Sequence, residues 1–290
     1  MSVLQKAPPP DLSATALVGE ELAAEARDQR RHRLERILQV AVFVVIVGGW
    51  EGSVRLGWVD AFFFGQPSGI AATIWRWVTR GTSQGPLWQH VVVTVEETVM
   101  AFAIGVVIGV IAGFALGRNR TLAAVFGPYV RIGNAIPRVI LGSIFIIWLG
   151  LGMASKVALG VTLTFFIVFF NAFQGVREVD LNLINNARIL GAGPRQLSFD
   201  VMLPSALGWI TSSLHTSFGF ALVGAVVGEF LGATRGLGYL VATAQGAFNT
   251  NGVFAAMVIL SVVALIADAL VTRLETWLTP WRPAAQRPGP

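Results

Sequence analysis

Residues 185–204 read NNARILGAGPRQLSFDVMLP, a polar, arginine-bearing segment with Gly191 at its centre and Leu203-Pro204 at its end. It is set between two apolar runs, 157–176 and 201–228, the second overlapping its last residues. A chain that crosses a membrane repeatedly ordinarily joins neighbouring spans by a few residues. A long, helix-forming polar insert instead presents a surface to something outside the bilayer. The residues suit two short helices: 180–190 forms one, 191–194 breaks it, and 195–202 forms the second. Gly191 suits the break because glycine tolerates positive φ at a helix C-terminus. Pro204 falls where the chain enters the next span, and proline is accepted in a helix's first turn. Two short helices at an angle make a rigid knob.

The rest of the chain supplies the membrane. Of its 290 residues 54% are hydrophobic and only 13% charged, against about 25% charged in a soluble protein. The apolar residues are concentrated in uncharged runs: 99–117 (19 residues), 157–176 (20), 201–228 (28) and 236–267 (32). Each reaches the ~20 residues that a helix needs to cross ~30 Å of hydrocarbon. The runs do not alternate as the strands of a membrane β-barrel would. The expected fold is therefore all-α and polytopic, with six transmembrane helices at about 37–56, 90–117, 124–149, 155–176, 206–231 and 252–274. Pro128, Arg131, Pro137 and Arg138 interrupt the third.

Around this domain, 37–277, lie two expected tails, 1–36 and 278–290. Residues 1–13 are Pro-rich, and 14–36 reads as a charged helix lying on the membrane surface near anionic headgroups. The long charged lead, with Arg27, Arg30, Arg31, Arg33 and Arg36, does not suit a secretory signal. With the N-terminus inside, the cytoplasmic segments hold fourteen basic residues. The outer segments hold five (Arg55, Arg76, Arg80, Lys156 and Arg235), and Arg131 and Arg138 fall within the third span. The positive-inside rule then puts both termini and the 180–204 insert in the cytoplasm. Trp58, Trp75, Trp77 and Trp88 in the outer 57–89 loop, with Trp277 and Trp281 after the last span, suit interfacial anchors. In the second span Gly105, Gly109, Gly113 and Gly117 form a ladder of small residues that allows close helix packing.

No catalytic constellation is evident. His32, His90 and His215 show no paired metal-ligand spacing, there is no cysteine, and no G-x-x-x-x-G-K-[ST] loop is present to bind ATP. The net charge of +5 is spread over span ends rather than gathered in a nucleic-acid patch.

The insert resembles the coupling motif of bacterial ABC-importer permeases, a Glu-Ala-Ala triplet followed by Gly and then Leu-Pro. Asn185-Asn186-Ala187 stand in the triplet's place, followed by Arg188, Gly191 and Leu203-Pro204. Over about 45–282 the chain is most similar to permeases for sulfonates, taurine and nitrate, and to relatives for pyrimidine-type vitamin precursors. The resemblance is carried by Trp50-Glu51, Leu87-Trp88-Gln89-His90 with Thr94, Ile136-Pro137, Trp148 to Gly152 with Ser155-Lys156, Gly228-Glu229-Phe230, Gly236-Leu237-Gly238-Tyr239, Asp268, Arg273 and Pro280-Trp281. It implies a type I importer fold whose coupling-helix pair docks on an ATPase. It also implies a second permease copy, two ABC ATPase subunits that bind ATP and Mg, an extracytoplasmic solute-binding protein, surrounding lipid and a cytoplasmic (inner) membrane location. Catalysis and cofactors would then sit on partner subunits. Asn185 departs from the family's usual acidic residue, keeping hydrogen-bonding capacity and losing the charge.

Ionisable groups within spans suggest function by default. Arg131, Arg138, His215 and Glu229 are therefore candidates for the translocation path. Arg138 would attract an anion in a central cavity, or pair with Glu229 or with carbonyls freed by Pro137. Glu229 suits a gate or a salt-bridged carboxylate. His215 suits a hydrogen bond to a neighbouring helix better than titration during transport. A secondary transporter driven by an ion gradient is the competing class, but it calls for internal repeats and midplane acids. A membrane-embedded enzyme would need clustered His, Asp or Glu within the spans.

Overall fold

A computed structural model describes residues 12–278. The Pro-rich start, Pro280-Trp281 and the 279–290 tail lie outside the described residues. The chain divides into two compact units, one up to Ala61 and one from Phe62 onward.

The first unit is dominated by α1, Leu12–Arg55, whose apolar part is Arg33–Arg55. A helix lying flat on the membrane ahead of a spanning one needs a break between them. None occurs: α1 is continuous through Arg36 and Ile37, and no Gly or Pro falls between residues 20 and 47. The separate surface helix expected over 14–36 is thus the first part of one long helix. Near its end Arg55 pairs with Glu51 one turn earlier at 2.7 Å.

In the second unit, α2 (Ala61–Phe64) and α3 (Pro67–Arg80) precede α4 (Leu87–Arg118). Then follow α5 (Arg120–Ala135), α6 (Arg138–Leu149) and α7 (Met153–Arg177). α8 (Leu181–Ile189), α9 (Pro194–Gln196) and a π-helical turn, Leu197–Met202, lead into α10 (Leu203–Leu231). α11 (Leu237–Gly246) and α12 (Thr250–Leu278) complete it, and no strand occurs among the described residues. Among the described residues five helices, counting α1, are long and apolar enough to span a membrane, and six spans result if the bent pair α5–α6 counts as one.

The core is the contact of α4, α7 and α10. A Cβ built on Gly105 would lie 2.7 Å from Thr164 Cβ, on Gly109 2.9 Å from Val168, on Gly113 2.8 Å from Ala172 and on Gly117 2.9 Å from Val176. Every pair is 59 residues apart, so α4 and α7 run parallel and in register. The same offset sets Ala101 against Gly160, 2.6 Å from its built Cβ. α10 packs on α7 beside α4: Gly224 meets Gly160 and Gly228 meets Lys156, whereas Ala206 meets Gly175. These pairs run in opposite senses, so α10 is antiparallel to α7.

Two parallel neighbours require the chain to return between them, and α5–α6 makes that return. α5 starts beside Phe173 and Arg177, Gly133 near its end faces Phe166, and Gly142 in α6 packs on Leu159 and Leu231. The third span, expected as one helix over 124–149, is instead two helices at 90°. Pro137 has no N–H to continue the ladder and disfavours the α conformation in the residue before it. Ile136 accordingly takes φ −66°, ψ 128°.

The expected outer connections are also ordered. Leu237, Leu240 and Ala256 form a buried cluster with Trp77, Leu87 and Val91 packed on it, joining α3, α4, α11 and α12. Trp77 is therefore part of a core and not an interfacial anchor. Trp58, Trp75 and Trp88 remain exposed.

If the glycine row sets the spacing of α4 and α7, its most crowded member will be least replaceable. A Cβ on Gly113 would lie 2.5 Å from the Phe169 carbonyl oxygen, which is backbone and cannot rotate away, whereas Gly219 in α10 has nothing within 4 Å. Gly113→Val should lower the yield of folded protein and its thermal stability by about 1–3 kcal/mol or more, and Gly219→Val should change little. Equal behaviour of the two in detergent thermal-melt assays would refute the tight-row account.

Candidate functional site

The polar insert folds as one distinct helix and one extension. Asp180 caps α8, its side chain accepting from Asn182 N–H at 2.8 Å. At the other end Gly191 takes φ +87°. Its N–H donates to Arg188 O (3.0 Å), and Ala192 N–H donates to Ala187 O (2.9 Å). This is a Schellman ending, whose left-handed residue is best supplied by glycine. Nothing lies within 4 Å of a Cβ built there, so the need for glycine is conformational rather than a matter of space.

The second helix expected over 195–202 is not separate. α9, the π turn and α10 form one continuous 38-residue helix, Pro194–Leu231. Pro204 explains the π turn: a proline ring clashes with the carbonyl four residues back and offers it no N–H. The chain widens locally, and Leu203 N–H reaches Ser198 O, five residues back, the pattern of a π-bulge. Gly193 N–H donates to Gln196 Oε1 at 2.9 Å, fixing the start of this helix.

Ile184 is buried and anchors α8, with Ala187 half-buried beside it. Asn185, Asn186 and Arg188 are exposed, as are Ile189 (83%) and Leu190 (87%) at the tip. Two nearly bare aliphatic side chains beside a rigid turn, among amide and guanidinium groups, make a surface suited to protein contact. Ile189 and Leu190 lie inside the expected motif but were not singled out in the sequence. Only the turn geometry shows them at its apex.

The candidate path residues are not brought together. Arg138 does not meet Glu229. It spans the α5–α6 break, donating through Nη1 to Gly133 O (2.8 Å) and Ile136 O (2.9 Å), and through Nη2 to Asn134 O (3.0 Å) and Asn134 Oδ1 (2.8 Å). Its guanidinium also lies 4.6 Å from the Phe166 ring centroid. The last carbonyls of a helix lack partners, and Arg138 supplies them. His215 Nε2 sits 2.8 Å from Asp268 Oδ1, linking α10 to α12. Arg131 lines a cleft against α7.

Glu229 is fully buried. Its Oε1 accepts from Thr94 Oγ1 (2.7 Å) and its Oε2 from Gly238 N–H (2.6 Å), while Thr94 Oγ1 also accepts from Leu237 N–H (2.8 Å). Gly236 N–H donates to His90 Nδ1 at 3.1 Å, and the His90 ring stacks on Tyr239. The carboxylate thus clamps the α10–α11 turn to α4. A side chain on Gly236, at φ +115°, would collide with the Glu229 carboxylate. Lys156, counted above among outer charges, is buried instead, its ammonium donating to Leu151 O and Gly152 O. Glu97 is a buried acid that the sequence reading passed over. Four of the separate pieces that carried the family resemblance, those with His90 and Thr94, with Lys156, with Glu229 and with Gly236-Leu237-Gly238, converge here. Among the described residues no group of three or more His, Cys, Asp or Glu is placed to hold a metal ion.

Comparison with known proteins places the chain in a family. Residues 105–280 match the family described as the binding-protein-dependent transport system inner membrane component. The chain is 31% identical to a putative aliphatic sulfonates transport permease of Bacillus subtilis, over 82% of this chain and 85% of that one. It is 32% identical to the riboflavin transport system permease of Chloroflexus aurantiacus, over 84% and 89%. Among solved structures, an inward-facing methionine ABC transporter, MetNI, is similar with a TM-score of 0.59 at 21% identity, over 67% of this chain and 96% of that one, which speaks to the fold. The gradient-driven reading is set aside by this membership. The chain belongs to the binding-protein-dependent transport family and is a multi-pass inner-membrane permease of the ABC-importer type.

Proposed function

We propose that the chain forms the translocation path of an ATP-driven importer. It pairs with a second copy, receives a solute from an extracytoplasmic binding protein and is driven by two ABC ATPase subunits docked at α8. ATP and Mg are bound by those subunits. The observation that carries the reading is the tip of α8, where Ile189 and Leu190 stand exposed beside the Gly191 turn. Support comes from how α8 is held, by one buried residue, Ile184, and from its links to α7 through a short connection and to α10 through α9 and the π turn, by which motion of a docked partner would reach the core. The solute is a small anion such as a sulfonate, taurine or nitrate, or a pyrimidine-type precursor. The range of solutes named for the relatives, from aliphatic sulfonates to riboflavin, leaves that choice to the binding protein.

Two experiments test this reading. A β-branched residue at φ +87° is strongly disfavoured, at about 1–2 kcal/mol, while Asn enters that region more readily. Gly191→Val should leave membrane insertion intact and abolish transport with the cognate ATPase and binding protein, and Gly191→Asn should retain much of it. Normal transport by the valine variant would sink the coupling assignment.

The second test concerns orientation, with α8 inside and the segment between α3 and α4 outside. Because the chain has no cysteine, Ser83→Cys and Gly193→Cys can each be probed alone. An impermeant maleimide should label position 83 in intact cells and position 193 only after the membrane is opened. The reverse pattern would overturn the orientation.

A further inference from the structure

One face of α5 carries Arg120, Ala123, Ala124, Gly127 and Arg131. Positions 120, 123, 124, 127 and 131 fall on a single helical stripe, with small residues between two arginines. Opposite stand Phe169, Phe170 and Phe173 of α7, ending in Arg177. The missing side-chain volume on α5 leaves a cleft of about 380 Å³ between the two helices. The 90° bend at Pro137 keeps it open, because α5 is turned away from the direction in which α6 packs on α7.

The three guanidinium groups have no acidic partner. Among the described residues none of Arg120, Arg131 and Arg177 makes an ion pair or a side-chain hydrogen bond. Arg177 lies 5.2 Å from the Phe173 ring centroid, which orients it without neutralising it. Three uncompensated positive charges around one cleft call for an anion, and guanidinium groups bind phosphate oxygens in pairs. Position favours a lipid over a free ion. Arg120 and Arg177 are the terminal residues of their helices, the level at which headgroups meet spans. Basic pockets between helices there bind anionic headgroups. The phenylalanine wall suits the glycerol and first acyl carbons of the same molecule.

We propose that the α5–α7 cleft binds an anionic phospholipid, its phosphate held by Arg120, Arg131 and Arg177 and its glycerol end laid against Phe169, Phe170 and Phe173. A lipid wedged there props α5 away from α7 and so holds the bent third span in its oblique position. Arg131 then serves the lipid and not the solute.

The test is native mass spectrometry of the full-length chain released from detergent and titrated with phosphatidylglycerol, phosphatidylcholine or inorganic phosphate. Phosphatidylglycerol should be retained in preference to phosphatidylcholine. Each of Arg120→Gln, Arg131→Gln and Arg177→Gln should weaken it about fivefold, and the triple variant about a hundredfold, at ~1 kcal/mol per arginine. Ala123→Leu keeps all three charges and a good helix former while filling the cleft, so it should weaken binding too. That separates the site from general surface charge and from loss of folding. Equal retention of the two lipids, or a preference that survives the triple variant or Ala123→Leu, overturns the proposal. So does displacement of phosphatidylglycerol by millimolar inorganic phosphate, which would mark a site for soluble anions.

Discussion

The parallel contact between α4 and α7 is the constraint on which the remaining structure depends. In lipid the hydrophobic effect does not draw helices together, so association rests on close packing and polar contacts. Here both follow one register. Ala101, Gly105, Gly109, Gly113 and Gly117 meet Gly160, Thr164, Val168, Ala172 and Val176. The same offset sets the buried Glu97 opposite the buried Lys156. From residue 97 to 117 the row is about 30 Å long at 1.5 Å per residue, close to the thickness of the hydrocarbon layer. A contact that long permits no sliding by a fraction of a turn, because each displaced glycine would be replaced by a side chain. The return of the chain through α5–α6, the antiparallel seat of α10 and the position of α8 below α7 all follow from it.

A second constraint is that backbone groups freed from a helix within a membrane need partners. The chain meets it with charged side chains at the two places where its helices break. At the α5–α6 bend, Arg138 collects the carbonyls that Pro137 leaves without donors. At the α10–α11 turn, Glu229 does the converse, accepting the N–H of Gly238 directly and holding the Leu237 N–H through Thr94. Both residues look like path residues in a one-dimensional reading because they are charges within spans. In three dimensions each is the partner of a break a few residues away. The distinction matters for substitution: removing either leaves backbone groups within a span unpaired, which costs more than the lost charge contact alone.

What was legible in the sequence is what depends on local composition and spacing. The apolar runs, the small-residue ladder and the Gly191 turn each need only a few adjacent residues to be read, and each is found. The errors arise where a long-range partner decides. Pro137 was visible as an interruption, but whether a proline kinks a span or turns it through 90° depends on what α6 can pack against, here Leu159 and Leu231. Residues 195–202 have the composition of a short surface helix. Their fusion with α10 depends on a π turn that absorbs Pro204. Lys156 and Trp77 sit at apparent boundaries and were assigned to the membrane surface, yet both are drawn inward, one by carbonyls at the start of α7 and the other by Leu237 and Leu240. Glu97 falls inside the expected second span, 90–117, but was not weighed beside Glu229. Its burial becomes visible only with the α4–α7 register.

The same register bears on how motion at α8 would enter the membrane on the proposed reading. α8 is joined to α7 by a three-residue link and to α10 through α9 and the π turn. α7 is locked to α4 over the length of the glycine row, so it moves only with α4. α10 meets α7 at Gly160 with Gly224, Gly175 with Ala206, and Lys156 with Gly228. Its first turns contain the π segment, where hydrogen-bond geometry is already widened. On that reading a push on Ile189 and Leu190 would reach the α4–α7 pair through α7 on one side and α10 through the π segment on the other. At its far end α10 is tied to α4 through Glu229 and Thr94, so on the proposed reading a tilt of its near end would turn the helix about that tie instead of translating it. A lever needs a stiff arm, a free end and a pivot, and on the proposed reading the buried carboxylate at position 229 would supply the pivot.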